Sequence, residues 1–339
     1  MPAAVYVGEG KITAQQVPVP EPGPGEVLIE IAQCGICGSD LHLVLERYAK
    51  PGSILGHEWS GVVVSGPPGS GWEAGQRVVG NPTPGCGTCR PCRRGRPSVC
   101  LRRAQGNLLD GRGAFCRYKT VSVDNVLRIP DSLSSRGAAL TEPTAIALHA
   151  VRIGDVGPDD RVLVTGGGPV GLLIVAVLRA QGVTDITVSE PSPLRRRQAL
   201  AVGAARAVAP DTLEDPPMGA TVAEPYAVAF ECSGHASAAE GALHQLDYAG
   251  TLVIVGTGFE PPRVNQNRMI IFELEIVGAY NYNAEGFGPA VALLDSGALP
   301  LESLIEPVDI PLNGVMDAME QLSRGEIPSK VMVRPEITA

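Results

Sequence analysis

The chain has 339 residues, enough for about two domains, and its 44% hydrophobic and 19% charged residues exclude a disordered polymer and allow sizeable cores. A net charge of −9 argues against a dedicated nucleic-acid binder, whose affinity comes from neutralising phosphates. No apolar run reaches the roughly 18 residues that a membrane-spanning helix needs.

At the N-terminus, MPAAVYVGEGKITAQQ lacks the basic start and apolar core of a signal peptide, so a cytoplasmic, reducing location is expected. Cysteines there serve more often as metal ligands or catalytic groups than as disulfides. Residues 1–140 are rich in Gly and Pro. Short β-like runs at 27–31, 61–64 and 78–79 are punctuated by turn signals at 21–25 and 65–69, a compact β domain with long loops. From 161 the texture alternates. Strands are predicted at 162–165, 185–189, 226–230 and 251–255, with helices at 169–181, 194–202 and 236–246. Such alternation implies βαβ units and a parallel sheet covered on both faces. Helices at 287–296 and 313–324 and a last strand at 329–333 follow, a segment expected to pack back on the first domain.

Three constellations carry chemistry. CGICGSDLH (34–42) and GHEWSG (56–61) bring Cys34, Cys37, Ser39, His42, His57 and Glu58 into one stretch of the β-rich half. Cys34 and Cys37 form a C-x-x-C that could be a redox pair, but that reading expects a small α/β setting. A catalytic zinc needs two or three ligands from Cys, His and carboxylate with one position open, and Cys37 and His57 supply two. The stretch CGTCRPCRRGRPSVC (86–100) holds Cys86, Cys89, Cys92 and Cys100, interleaved with arginines. Four thiolates suit a closed tetrahedral zinc or an iron–sulfur cluster. The arginines offset the charge of such a centre rather than mark a nucleic-acid finger. Finally, Gly166, Gly168 and Gly171 form a G-x-G-x-x-G between a predicted strand and helix, with Pro169 and Val170 opening the helix. That context fits dinucleotide binding, with pyrophosphate at the helix N-terminus. Glu190 ends the next strand, 19 residues past Gly171, where a carboxylate would bind the ribose hydroxyls of NAD and repel the extra phosphate of NADP. Arg195, Arg196 and Arg197 stand close enough to favour that phosphate instead, so NAD is expected and NADP kept as the alternative.

In this order, and together with AALTEPTAIALHA at 138–150 and the closing SKVMV at 329–333, these motifs resemble the zinc-dependent medium-chain dehydrogenase/reductases of the polyol, threonine and butanediol type. The resemblance spans essentially the whole chain. It implies a GroES-like β-rich catalytic domain with a structural zinc lobe (1–143), a Rossmann NAD-binding domain (144–282) and a C-terminal segment (283–339) that returns to the catalytic domain. It implies two zinc ions per chain. Cys37 and His57 would hold the catalytic one, with Glu58 and Glu142 sharing the third position, and Cys86, Cys89, Cys92 and Cys100 would hold the structural one. Adjacent side chains on an extended backbone point to opposite faces, so His57 and Glu58 can act together only if the chain kinks, as Gly56 permits. Glu142 could otherwise simply open a helix ahead of Pro143.

The same resemblance makes Ser39 and His42 a proton relay, with Ser39 also expected as the N-cap of a helix over 40–44. Gly166, Gly168, Pro169, Val170, Gly171, Glu190 and Arg195 would contact the cofactor. The substrate would be a small-molecule secondary alcohol or its ketone, of the polyol, vicinal diol or hydroxy amino acid class. Residues 43–55, with Leu45 and Tyr48, and the turn at Asp110 and Gly111 would border its pocket. A homodimer or homotetramer is implied, with 273–280 as an interface strand and no nucleic-acid or membrane partner. The competing readings are an NADP-dependent reductase of the same fold and a catalytically silent NAD- and zinc-binding sensor.

Overall fold

The computed structural model describes residues 1–102, 111–217, 219–283 and 286–336, so the predicted turn residue Asp110 lies outside it. The chain opens with a hairpin of β1 (Pro2–Gly8) and β2 (Lys11–Gln16). Next come β3 (Glu26–Gly35), α1 (Gly38–Leu45), β4 (Glu58–Ser65) and β5 (Arg77–Gly80). The cysteine loop carries α2 (Arg90–Arg93), and β6 (Tyr118–Ser122), β7 (Val126–Arg128), α3 (Ser135–Ala138) and α4 (Thr141–Gly154) complete this half. Its strands form an antiparallel sheet in the order β14-β3-β4-β5-β7, with β6 also on β3 and β14 (Met332–Val333) supplied by the C-terminus. β3 contains the β-like run predicted at 27–31, and Val27, Ile29 and Ile31 point into the core while their neighbours are partly exposed.

The second half alternates as predicted. β8 (Val162–Thr165), α5 (Pro169–Ala180), β9 (Ile186–Ser189), α6 (Pro193–Val202) and β10 (Arg206–Val208) lead into β11 (Tyr226–Glu231) and α7 (Ala236–Gln245). β12 (Leu246–Ile254), α8 (Gln266–Phe272) and β13 (Glu275–Gly278) close a six-stranded parallel sheet ordered β10-β9-β8-β11-β12-β13. β8 and β9 are buried on both faces, which is why they read as unbroken apolar runs. The order reverses beside β8, and the loop after β8 opens at that switch point, where ligands bind in doubly wound sheets.

α9 (Phe287–Asp295), α10 (Leu301–Leu304) and α11 (Val315–Ser323) bring the chain back to the first sheet. Val315, Met319 and Leu322 of α11 enter the same core as Ile29, Trp59 and Phe115. Several boundaries differ from the sequence reading, three of them for reasons visible in the packing. β12 begins at Leu246, five residues early, because it pairs with β11 across a register shift at its start. The helix predicted over 313–324 starts at Val315, after a 3-10 turn at Leu312–Gly314. The final strand shrinks to two residues because Lys330, instead of joining the ladder to β3, bridges to Ile305 and turns its side chain inward.

Candidate active site and metal centres

The loop before β4 and the start of α1 build the first cluster. Gly56 sits at φ +89°, and a Cβ there would meet the Cys34 sulfur and the Phe115 ring at 2.8 Å, so both conformation and packing demand glycine. That turn supplies the kink the sequence required. The ligating atoms of Cys37, His57 and Glu58 come to lie within 4.8 Å of one another. Gly35, paired with Glu58 across the ladder, leaves room for the carboxylate; a Cβ there would stand 2.3 Å from Glu58 Oε2.

Asp40, which the sequence reading passed over, joins the two loops. Its carboxylate accepts the backbone N–H of Cys37 (3.0 Å) and of Gly56 (3.2 Å), and its Oδ1 lies 3.6 Å from His57 Nδ1. An acid at the third position of a helix is a capping signal, so this residue was detectable. It also corrects the predicted cap. α1 starts at Gly38 with Cys37 as its N-cap, because Asp40 reaches back to the Cys37 N–H, and Ser39 lies inside the helix. Lys330 was the other omission, and no local signal reveals it. Its ammonium, fully buried, donates to Glu58 Oε1 (2.7 Å) and to the carbonyl of Ile36 (3.1 Å).

Electrostatics in this pocket favour a cation. Burial pulls the His57 imidazole down, but Asp40 and Cys37 outweigh it and hold it well above its usual value. Burial likewise pulls Lys330 down, and Glu58 and Cys37 more than restore it. Glu142, at the start of α4, is pushed by burial up to about 7, with His57 opposing and Glu58 reinforcing the shift. Two buried polar atoms in this pocket are left without a hydrogen-bond partner, Glu58 Oε2 and Ser39 Oγ, while His57 Nδ1 has only the Asp40 carboxylate at 3.6 Å. Native structures rarely leave such atoms unpaired without an ion or water to satisfy them, and a soft–borderline–hard set of Cys, His and Glu fits zinc with an open position. Geometry therefore groups Glu58, not Glu142, with Cys37 and His57, and keeps Glu142 near enough to act through its charge. Cys34 faces the opposite way. It is buried in the first core, its thiol pushed well up by burial and by Asp40 and Glu58, so it is no reactive partner for Cys37.

His42 lies one turn along α1 from Ser39, three residues on and so on the same flank. Its Nδ1 is 2.5 Å from Glu46 Oε1. In the second cluster the sulfur atoms of Cys86, Cys89, Cys92 and Cys100 also lie mutually within 4.8 Å. Backbone N–H groups of Cys86, Cys89 and Arg102 point at cluster sulfurs at 3.3–3.4 Å. Hydrogen bonds from Thr88 draw the Cys86 thiol down to about 5, while burial and the adjoining thiols push Cys92 up to about 12. Four sulfurs this crowded cannot all ionise without a cation, which a closed tetrahedral zinc would supply. Two arginines brace the lobe through Thr88, Arg93 on its carbonyl and Arg102 on its hydroxyl.

At the switch point, Gly166 takes φ +98°, and Gly171 packs so closely that a Cβ would stand 2.0 Å from the Gly166 carbonyl oxygen. Gly168 caps α5, and nothing lies within 4 Å of where its Cβ would be, with Pro169 and Val170 following as the first helical residues. That open cradle fits a pyrophosphate. The Glu190 carboxylate accepts the N–H groups of Gly167 and Ser192, both at 2.8 Å. Arg195, predicted to contact the cofactor, is turned away. Its guanidinium donates to the carbonyls of Leu322 (3.0 Å) and Ile327 (3.3 Å), tying α6 to the C-terminal segment.

Known proteins are similar to this chain over nearly its whole length. Residues 23–131 match the alcohol dehydrogenase GroES-like domain and residues 169–296 the zinc-binding dehydrogenase family. The L-threonine 3-dehydrogenase of Stenotrophomonas maltophilia is 32% identical over 328 residues, 93% of this chain and 95% of the relative. Among solved structures, a short chain alcohol dehydrogenase from E. coli CFT073 complexed with NADH is 28% identical (TM-score 0.88; 98% of this chain, 99% of that one). A Sinorhizobium meliloti 1021 protein bound to NADP is 30% identical (TM-score 0.86; 98% and 99%). The 2R,3R-butanediol dehydrogenase of Bacillus subtilis is 28% identical (TM-score 0.85; 99% and 99%).

The buried ion pair gives a first test. Lys330→Met keeps most of the stem but leaves Glu58 uncompensated, and breaking a buried pair in this way costs about 3–5 kcal/mol. Urea denaturation in the presence of a chelator should show that loss; a change below about 1 kcal/mol would mean that Glu58 needs no cation.

Proposed function

We propose a function from one premise: the chain belongs to the zinc-dependent medium-chain dehydrogenase/reductase family. On our reading it is an NAD(H)-linked oxidoreductase that interconverts a secondary alcohol and its ketone. The observation that carries this is the convergence of Cys37, His57 and Glu58 around unpartnered buried atoms, in a chain that also forms the glycine cradle at 166–171. Zinc held by Cys37, His57 and Glu58 would act as a Lewis acid on the substrate oxygen, and NAD would accept the hydride.

The chain's own residues do the rest. Asp40 fixes the two loops that present Cys37 and His57, and Lys330 offsets the charge of Glu58 without covering its second oxygen. Glu142 adds a carboxyl beside the cluster whose charge responds to pH near neutrality. The Ser39 hydroxyl, buried and unpartnered, takes the substrate proton and His42 passes it outward. Gly166, Gly168 and Gly171 admit the pyrophosphate, while Glu190 receives the adenosine ribose hydroxyls on the lone pairs that Gly167 and Ser192 leave open. Cys86, Cys89, Cys92 and Cys100 hold a second zinc with no open position, a scaffold element. We divide the chain at 143 and 282, with 283–339 serving the catalytic half, and place it in the cytoplasm, where thiol ligands stay reduced. Relatives named for threonine and for 2R,3R-butanediol support a hydroxy amino acid, vicinal diol or polyol as substrate.

Metal analysis should return about two zinc ions per chain. Cys37→Ser should reduce this to about one and abolish the 340 nm signal over diols, sugar alcohols and hydroxy amino acids; unchanged turnover would sink the zinc mechanism. Full zinc with no turnover on any of these would instead favour the silent sensor. The NADP alternative draws on the relative solved with that cofactor. Glu190→Ser should move the NAD-to-NADP preference toward NADP by about tenfold, the worth of one 1.4 kcal/mol interaction.

The assembly is also a proposal. β13 lies at the sheet edge, and Ile270, Ile271, Ile276 and Tyr280 on and beside it are exposed, Ile270 by 70%. An uncovered apolar edge of this kind suits pairing with a second copy. Ile276→Lys should shift the protein toward monomer in sedimentation velocity, and an unaltered oligomer would place the interface elsewhere.

A further inference from the structure

Away from the metal cluster, helix α1 meets the other half of the molecule through an aromatic contact. Phe259, in the loop after β12, stands edge-on to the His42 imidazole, with centroids 5.8 Å apart and planes at 76°. The same ring stacks on Tyr48 just beyond α1, at 5.6 Å and 24°. Both aromatics are largely exposed, Phe259 by 66% and Tyr48 by 59%, so burial alone does not account for their pairing. The loop that presents Phe259 has a rigid base. Gly256 and Gly258 lie against Gly234, where a Cβ on Gly258 would come within 1.8 Å of the Gly234 carbonyl oxygen. The Gly256 N–H donates to the carbonyl of Glu231, and the Glu231 carboxylate holds the N–H groups of Ser233 and Gly234.

His42 is thus gripped from two sides. Glu46, one turn along the same helix, holds Nδ1 at 2.5 Å, and Phe259 from the parallel-sheet half fixes the plane of the ring. With Nδ1–H donating to the carboxylate, Nε2 is the nitrogen left to accept a proton. We infer that Phe259 is a positioning residue for His42, so that the proton exit is held in place from both halves of the molecule. This inference rests on the reading of His42 as a proton relay. Tyr48 backs the Phe259 ring on its other contact and belongs to the same device.

An edge-to-face contact of this size holds a ring with a preference of about two- to tenfold. Phe259→Ala should therefore lower kcat by about five- to tenfold with little change in the substrate KM, while Phe259→Tyr, which keeps the ring, restores it. Carbethoxylation of His42 by diethyl pyrocarbonate, followed by peptide mass spectrometry on the protein without cofactor, should speed up about fivefold in Phe259→Ala and stay at the parental rate in Phe259→Tyr. In a His42→Ala background, Phe259→Ala should cost nothing further, because two residues acting as one unit are not additive. An equal loss of kcat in both backgrounds, or an unchanged carbethoxylation rate, would overturn the inference. If His42→Ala itself leaves kcat untouched, the relay reading falls and the inference with it, whereas a large His42 effect beside a silent Phe259→Ala removes the inference alone.

Discussion

The buried pair of Glu58 and Lys330 is the interaction around which the site is arranged. At 2.7 Å, with both side chains out of water, it brings together residues from β4 and from the extreme C-terminal segment. Desolvating two ions costs several kcal/mol each, and well-packed apolar residues of equal volume would often serve stability better. The pair makes sense as a way of holding a carboxylate in place. Lys330 takes one oxygen of Glu58 and the carbonyl of Ile36, leaving the second oxygen unpartnered beside Cys37 and His57. Asp40, Glu58 and Glu142 then face one buried lysine and one imidazole, and burial already pushes Glu142 up to about 7. A divalent cation relieves that crowding of acids, so the charge balance of the pocket and its open ligand position point to the same occupant.

The geometry that makes this possible is local and rests on backbone rather than on long side chains. Gly56 turns the chain so that His57 and Glu58 serve one point, and Gly35 vacates the space into which Glu58 extends. α1 places Cys37 at its N-cap, beside the loop that carries His57 and Glu58. Ser39 and His42 follow on the next turn, and the helix continues to the aromatic contact with Phe259. One eight-residue helix and its cap therefore carry a proposed metal ligand, the proposed proton path and the junction with the parallel sheet. Any shift of α1 is felt by all three.

Much of this was legible in the sequence. The period-two run of β3, the apolar strands β8 and β9 and the glycine turn all announce their structure through side-chain burial that repeats at fixed spacing. Cys37, His57 and the four-cysteine lobe could be picked out because ligand chemistry restricts residue type. What escaped were partners remote in sequence or hidden by ordinary surroundings. Lys330 looks like any lysine in SKVMV until β14 returns to β3, and Phe259 looks like a loop residue until it meets α1. Whether Glu58 or Glu142 would stand beside Cys37 and His57 was not legible in advance, because it depends on how sharply Gly56 bends the chain. Ser39 was placed at the cap for a related reason: its hydroxyl is a good cap in isolation, but Asp40 captures the Cys37 N–H first.

The proposed cofactor preference turns on how packing commits the charges that follow Glu190. Three consecutive arginines after Glu190 look like a phosphate site, yet the guanidinium of Arg195 is spent on carbonyls of the C-terminal segment. Arg196 is engaged as well, donating to the carbonyls of Glu190 and Pro191 at 2.7 and 2.8 Å. Drawing either toward a ribose phosphate would strand the buried or half-buried carbonyls of Glu190, Leu322 or Ile327, each worth about 1–3 kcal/mol when left unpaired. Glu190, by contrast, is held in place by two backbone N–H groups and cannot swing aside without releasing them. A fixed carboxylate accepts hydroxyl protons well and repels a phosphate dianion. Kinship with a protein solved with NADP does not by itself carry a preference across, and the proposal of NAD rests on where these few side chains are already committed.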